Sequence, residues 1–164
     1  MSVTTAILVF ARPIAQDAAR KQLSVHADTN RHALHLLNER VRQTAQQTGF
    51  PVLSSTDLIP HSGSFGGQLS EAIQAVFGRG FDQLLVVGND CPALTAADLT
   101  NAATELQAGR VVIGPDNRGG VYLLGLSRTQ FEADALRELP WQTNQLHQAI
   151  CAQFAAHTVL PLRA

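Results

Sequence analysis

Residues 83–99 read QLLVVGNDCPALTAADL and combine a strand signal, a loop and a helix start in direct succession. The run QLLVV is nearly continuous in apolar residues, which is typical of a strand buried on both faces of a parallel sheet. Thr95 and Asp98 have the spacing of a capping box, with Asp in place of the usual Glu. The stretch therefore predicts one β–loop–α unit of an α/β layered domain.

The same alternation continues on both sides of this unit. Amphipathic spacing predicts helices over 28–48, 69–77, 99–106 and 146–154, and a short helix capped within 129–132. Apolar runs predict further strands at residues 6–10, 51–55, 110–114, 121–126 and 157–162. We expect residues 1–164 to form a single α/β domain with a mostly parallel sheet.

Composition excludes several classes of protein. The chain has 164 residues, of which 45% are apolar and 15% charged, and its formal net charge is -1. This balance argues against a nucleic-acid or membrane-surface partner. No apolar run approaches the ~20 residues of a membrane span, and no signal segment is recognisable. Cys91 and Cys151 give neither a disulfide framework nor zinc-site spacing. We expect a cytoplasmic, soluble protein.

The predicted sheet indicates where a ligand would bind. In open α/β sheets, ligands bind beyond the carboxyl ends of the strands, which points here to residues 11–23, 88–92 and 114–120. Asp90 directly follows the strand QLLVV, with Asn89 beside it. A divalent cation such as Mg²⁺ binds through one or two carboxylates plus substrate phosphates. Alternatively, Asp90 accepts hydrogen bonds from loop N–H groups in an Asx-turn before Pro92.

The stretch GPDNRGG, residues 114–120, is a second candidate. Asp116 could join Asp90 at a metal ion, and Arg118 could hold a phosphate or a carboxylate. Gly119 and Gly120 permit close approach of the backbone to a ligand. The alternative is a plain β-hairpin turn between two strands.

Three cations follow the first strand, at Arg12, Arg20 and Lys21. They suit a phosphate-bearing ligand, although a solvated basic loop would have the same composition. Neither a dinucleotide-binding glycine fingerprint nor a P-loop is present. Cys91 has no recognisable neighbouring base that would make it a nucleophile. His32 and His35 are spaced as a possible metal-binding pair, but His35 falls on the helix face opposite the apolar stripe, which favours a solvated surface.

Several motifs together resemble a known family. GNDCPALT, GPDNRGGVYLLGL and WQTNQLHQAI occur in the order found in the DUF2064 family, a glycosyltransferase-like group of the nucleotide-diphospho-sugar transferase superfamily. FARPIAQDAARKQL and SFGGQLSEAIQAVF are similar to two further segments of that family. The resemblance implies a three-layer α/β/α, GT-A-like fold with a mixed sheet and a nucleotide or activated-sugar site at its carboxyl edge.

The resemblance also implies roles for individual residues. Asp90 matches the acidic metal-site residue, which serves the role of the glycosyltransferase D-x-D. Gly119 and Gly120 match a G-G pair, Tyr122 matches the second aromatic position after it, and Trp141 and Thr143 match a late W-x-T. The implied cofactor is a divalent cation, Mg or Mn.

Two departures from the family pattern concern charge. Arg118 stands where the family has Asp before G-G, and the family's K-T-R becomes Arg20-Lys21-Gln22. Two unit charges ~4 Å apart interact by ~4 kcal/mol at an effective dielectric of ~20, so Arg118 should weaken metal binding unless Asp116 compensates.

The leading hypothesis is a metal-dependent transferase acting on a nucleotide-diphospho-sugar or a similar nucleotide substrate. Two alternatives stay open, namely a catalytically degenerate binding module and a nucleotidyltransferase. A Cys91-dependent thiol enzyme is a weaker third alternative. A homo-oligomer is compatible with the sequence.

Overall fold

The computed structural model describes residues 2–11, 26–60, 62–89, 91–154 and 157–160. They form a six-stranded sheet in the order β2-β1-β3-β5-β4-β6. The strands are β1 (Thr5–Val9), β2 (Val52–Ser54), β3 (Gln83–Val87), β4 (Val111–Pro115), β5 (Val121–Ser127) and β6 (His157–Val159). The described helices are α1 (Ala27–Gln46), α2 (Phe65–Gly78), α3 (Ala96–Gln107), α4 (Ala133–Arg137) and α5 (Leu146–Gln153), with a 3₁₀ turn at Ser55–Asp57.

The predicted mostly parallel mixed sheet is confirmed. β1 pairs in parallel with β2 and β3, and β4 pairs in parallel with β6. β5 runs antiparallel to both of its neighbours, β3 and β4. The antiparallel direction of β5 relative to β4 follows from the short connection between them, because its few residues suffice for a hairpin but not for a parallel crossover.

Helices cover both faces of this sheet. Along β1, Ala6 and Leu8 face a core that includes α2, α4 and α5, whereas Ile7 and Val9 face a core that includes α1 and α3. A central strand covered on both faces has no solvent-facing side, so its sequence is a continuous apolar run. The three-layer α/β/α arrangement is therefore confirmed.

Several predicted boundaries differ from the structure by a few residues. The helix predicted over 28–48 is Ala27–Gln46, and Gly49 follows it with a φ of 81°. The short helix predicted to be capped within 129–132 is present as Ala133–Arg137, with Glu132 at its N-cap position, and before it the Gln130 side chain accepts a hydrogen bond from the Ser127 N–H. The last helix ends before Phe154, which is extended and packs against the core.

Within the described ranges, no helix combines the length and the hydrophobicity needed to cross a bilayer.

The predicted capping box at the start of α3 is present. Thr95 Oγ1 accepts a hydrogen bond from the Asp98 N–H at 3.1 Å, and Asp98 Oδ2 accepts one from the Thr95 N–H at 3.0 Å. We expect Thr95→Ala to lower the free energy of unfolding by about 1 kcal/mol, measured by urea denaturation. Thr104→Ala, on the exposed face of the same helix, should change it by less than about 0.5 kcal/mol. Equal losses in both variants would contradict a specific capping role.

Candidate functional site

A cleft of about 560 Å³ opens at the carboxyl end of the sheet. It is bounded by the residues that follow β1 and β3, by the β4–β5 hairpin, and by the loop between α4 and α5. This is the edge at which the sheet topology predicts ligand binding. Its size is within the range of small-molecule sites.

The cleft brings together most of the residues singled out in the sequence. Its lining includes Asn89, Asp116, Arg118, Gly120, Tyr122, Trp141 and Thr143. Gly119 lies in the same hairpin, against the loop that carries Trp141 and Thr143. Asp90, Arg12, Arg20 and Lys21 lie outside the described residues.

Asp116 organises the hairpin turn. Its Oδ1 accepts hydrogen bonds from the Arg118 N–H at 2.8 Å and the Gly120 N–H at 2.9 Å. The Asp116 N–H in turn donates to the Gly120 carbonyl at 3.0 Å. The motif is therefore the hairpin turn that the sequence left open as an alternative, with Asp116 as its internal anchor. Oδ2 has no hydrogen-bond partner among the described residues.

The missing side chain of Gly119 makes room for another segment of the protein. A Cβ at this position would lie 2.7 Å from the backbone carbon of Asn144, and the φ of Gly119 is 85°. The Gly119 carbonyl accepts a hydrogen bond from the His147 N–H at 2.8 Å. The close approach at Gly119 is thus made by the loop between α4 and α5, which docks on the hairpin and forms the opposite wall of the cleft.

That loop is held in place by its own side chains. Trp141 Nε1 donates to the Leu136 carbonyl at 2.7 Å, and Thr143 Oγ1 donates to the Pro140 carbonyl at 2.7 Å. The Trp141 ring packs close to Gly66, where a Cβ would lie 2.7 Å from Cδ1. The hydrogen-bonding groups of Trp141 and Thr143 are therefore engaged within the protein, and the surfaces they offer to the cleft are fixed.

One wall of the cleft is aromatic. The Phe65 ring centroid lies 5.2 Å from that of Phe10, in an edge-to-face arrangement, and 5.6 Å from that of Trp141. All three rings line the cleft. We call Phe10, Phe65 and Trp141 the aromatic wall. Such pairs stabilise each other by about 0.5–1.5 kcal/mol beyond area burial, which favours a rigid surface.

A β-bulge sets the position of Tyr122. Gly114 pairs with Leu123, and Pro115 pairs with Val121, so Tyr122 is the extra residue of β5. Pro115 has no N–H to continue the ladder, which accounts for the irregularity at this point. The Tyr122 ring packs on Gly114, where a Cβ would lie 2.6 Å from Cζ.

Two buried polar side chains fix the strand ends beneath the cleft. Asn89, only 4% exposed, donates through Nδ2 to Asn38 Oδ1 at 2.6 Å and ties the end of β3 to α1. Ser55 is fully buried, and its Oγ accepts from the Ala11 N–H at 3.0 Å and donates to the Ala11 carbonyl at 2.8 Å. Ser55 thereby pins the chain immediately after β1.

Sequence reasoning missed Phe10, Phe65, Ser55 and Gln142. The two phenylalanines have the pattern of core residues, and Ser55 follows an edge strand, so none of them carries a local signal of a site. Gln142 lines the cleft with a φ of 63°, a backbone conformation that its residue type does not indicate.

The charged groups of the cleft are few. Among the described lining residues, Asp116 and Arg118 are the ones that carry a charge at neutral pH. Arg118 is exposed, and its guanidinium has no hydrogen-bond or ion-pair partner among the described residues. No group of three or more His, Cys, Asp or Glu side chains in the described part of the chain could hold a metal ion. The described donors therefore do not form a preformed metal cage.

Comparison with known proteins identifies the family. The model of the family described as "Uncharacterized protein conserved in bacteria (DUF2064)" matches residues 5–143. The chain belongs to the DUF2064 family. No curated protein sequence matches it. The match includes the aromatic wall and the hairpin, and it ends at Thr143 within the loop that closes the cleft.

Solved structures establish the fold of this DUF2064 chain. The putative nucleotide-diphospho-sugar transferase of Desulfovibrio desulfuricans G20 is similar with a TM-score of 0.75 and 18% identity, over 98% of this chain and 81% of that one. The Rv0371c protein of Mycobacterium tuberculosis H37Rv, in complex with manganese, is similar with a TM-score of 0.54 and 13% identity, over 99% and 92% of the two chains.

A homologue of Rv0371c from Mycobacterium sp. strain JC1 is similar with a TM-score of 0.55 and 11% identity, over 95% of this chain and 84% of that one. At these identities the likeness concerns the fold. The GT-A-like arrangement expected from the sequence motifs is confirmed.

Proposed function

We propose that this DUF2064 protein is a transferase that acts on a nucleotide-diphospho-sugar or a similar nucleotide diphosphate. The observation that carries the proposal is the cleft itself. It lies at the carboxyl end of the sheet and has room for a small-molecule ligand. It is lined by the Arg118 guanidinium, which has no partner among the described residues, by the glycine hairpin and by the aromatic wall. The similarity in fold to a putative nucleotide-diphospho-sugar transferase supports the same substrate class.

The proposed roles follow from the chemistry of each side chain. Arg118 binds a phosphate oxygen, because its guanidinium is charged and has no partner among the described residues. Gly120 lines the cleft, and its missing side chain leaves room for the Asp116 carboxylate, whose Oδ2 would lie 2.8 Å from an added Cβ. Asn89, Tyr122, Trp141 and Thr143 shape the binding surface, and Arg12, Arg20 and Lys21 would add cations around the phosphates.

The donor set fits a divalent cation that is shared with the substrate. Asp116 offers Oδ2, since Oδ1 already accepts two backbone hydrogen bonds. Asp90 is the proposed second carboxylate, and phosphate oxygens would complete the shell, as is usual for Mg²⁺. When bound, such a cation neutralises charge that builds up on a leaving diphosphate. The manganese in the complex of Rv0371c, a protein of similar fold, supports a cation of this kind.

This donor set predicts that metal and nucleotide bind together. We expect Mn²⁺ alone to bind with a Kd in the millimolar range, and a nucleotide sugar to tighten it at least about tenfold, because the ligand supplies the missing oxygen ligands. Isothermal titration calorimetry with Mn²⁺, with a panel of nucleotide sugars, and with both tests this coupling. Asp116→Asn should reduce the coupling. Tight Mn²⁺ binding without nucleotide would contradict a shared site.

The alternatives differ in their products. A sugar transferase moves the sugar to an acceptor hydroxyl, or to water when no acceptor is supplied, and releases a nucleoside diphosphate. A nucleotidyltransferase joins a nucleoside monophosphate unit from a triphosphate to a sugar phosphate and releases pyrophosphate. A degenerate module binds the ligand and releases neither. Incubation with nucleotide sugars or with triphosphates plus sugar phosphates, followed by analysis of the released phosphates, separates the three functions. Failure of every nucleotide to bind, with or without metal, would overturn the proposal.

A further inference from the structure

We infer that Gln142 and the aromatic wall form a subsite for a ring with one apolar face and one hydrogen-bonding edge. The inference rests on the proposed function and adds to it a specificity-determining residue and the chemical class of the group it contacts. A nucleotide sugar contains two rings of this description, the nucleobase and the sugar.

The backbone of Gln142 is the first observation. Its φ of 63° is the one positive φ found at a non-glycine residue in the described part of the chain. The left-handed conformation is unfavourable for an ordinary L-residue, because its Cβ crowds the backbone, and glycine does not have this cost. Strain of this kind is concentrated at ligand sites, where the side chain has a use that offsets it.

The side chain of Gln142 is the second observation. It is exposed, it lines the cleft, and its amide forms no hydrogen bond with the described residues. Its neighbours differ in this respect, because Trp141 donates to a backbone carbonyl of α4 and Thr143 donates to a backbone carbonyl of the loop. The Gln142 amide therefore offers one acceptor and two donors to a ligand on a loop that is otherwise fixed.

The aromatic wall supplies the apolar face. Trp141 is adjacent to Gln142 in sequence, and its ring is held by the Nε1 hydrogen bond and by the contact with Phe65. A ring stacked on this wall would have its polar edge near the Gln142 amide, because Gln142 directly follows Trp141 and lines the same cleft. Nucleobases stack on aromatic side chains, and sugars combine an apolar face with hydroxyl groups on the edge.

Gln142→Gly separates this role from a structural one. If the side chain serves the ligand, the variant should melt up to about 4 °C higher than the wild type, because the relieved strain outweighs the entropy that glycine adds to the unfolded chain, and should bind the ring about tenfold more weakly. A structural residue would lower the melting temperature when removed. Gln148→Ala, an exposed glutamine of α5 outside the cleft lining, is the matched control and should change neither quantity.

Tryptophan fluorescence identifies the ring. Trp141 is the only tryptophan of the chain, so its emission reports directly on the aromatic wall. Wild type and Gln142→Gly would be titrated with nucleosides, with hexose phosphates and with complete nucleotide sugars. Quenching by nucleosides assigns the base to this subsite, and quenching by hexose phosphates assigns the sugar.

The outcomes distinguish this inference from the proposed function. If nucleotide sugars bind equally to wild type and Gln142→Gly, the subsite is wrong while the transferase proposal stands. If only ring compounds without a diphosphate bind, and Gln142→Gly weakens them, the subsite stands and the proposed substrate class is wrong. If neither fragments nor nucleotide sugars bind the wild type, both are wrong.

Discussion

Gly119→Ala is expected to destabilise the protein by about 3 kcal/mol and to abolish ligand binding. A left-handed φ costs an alanine roughly 1–2 kcal/mol, and overpacking against a fixed neighbour costs typically 1–3 kcal/mol more. Here the φ is 85°, and the added Cβ would lie 2.7 Å from the Asn144 backbone carbon. Backbone cannot move aside as a flexible side chain can, so the loop between α4 and α5 would be displaced from the hairpin.

Urea denaturation and ligand titration measure the two consequences of Gly119→Ala separately. Gly78→Ala is the matched control, because Gly78 ends α2 with no atom within 4 Å of an added Cβ. A glycine replaced by alanine in a helix usually stabilises the protein, by about 0.5–1 kcal/mol. If Gly119→Ala unfolds at the same urea concentration as the wild type, the docking of loop and hairpin is not the constraint inferred here.

The second large effect concerns Arg118. We expect Arg118→Gln to weaken binding of a nucleotide diphosphate by about 10- to 100-fold in the absence of metal. The attraction between two unit charges ~4 Å apart lies between ~1 kcal/mol in water and ~4 kcal/mol at an effective dielectric of ~20, and this guanidinium is exposed. Because salt screens exposed charges, the loss should shrink between 50 mM and 500 mM NaCl.

Arg79→Gln is the control for Arg118→Gln, since it removes the same charge beyond the end of α2, next to the amino end of β3 and away from the cleft.

Arg118→Asp tests the role of the charge at this position further. If this variant gains metal affinity that the wild type lacks, the native protein is a catalytically degenerate binding module. If the wild type already binds metal and nucleotide together, the binding-module alternative fails. Equal nucleotide affinity in wild type and Arg118→Gln would remove Arg118 from the site.

The sequence was sufficient wherever a residue's environment follows from its near neighbours. Continuous apolar runs predicted the central strands, because a strand covered on both faces has no polar side to show. The capping box of Thr95 and Asp98 predicted the start of α3, since both of its hydrogen bonds are made within four residues. The glycine turn after β4 was recognisable for the same reason, and the structure has a hairpin at this position.

The candidate site depended on contacts between distant segments. Gly119 is separated from Asn144, and Ala11 from Ser55, by long stretches of chain, and neither contact leaves a periodic signal in the sequence. The sequence predicted that Gly119 allows the backbone to approach a ligand, whereas the fold places the backbone of Asn144 against this glycine. The φ of Gln142 is likewise imposed by the loop that docks on the hairpin, not by the propensity of glutamine.

The sequence by itself thus determined the α/β layering, the mostly parallel sheet, the family and the edge of the sheet at which to look for a ligand. The layering, the sheet and its ligand-binding edge follow from local hydrogen bonding and from the periodicity of apolar residues, whereas the family follows from the resemblance of its motifs. The tertiary structure decided which side chains share the cleft, that Asp116 is already engaged by backbone N–H groups, and that Arg118 and Gln142 are not engaged by the described residues. Whether a polar group is satisfied depends on every atom folded around it, and this information is absent from any short stretch of sequence.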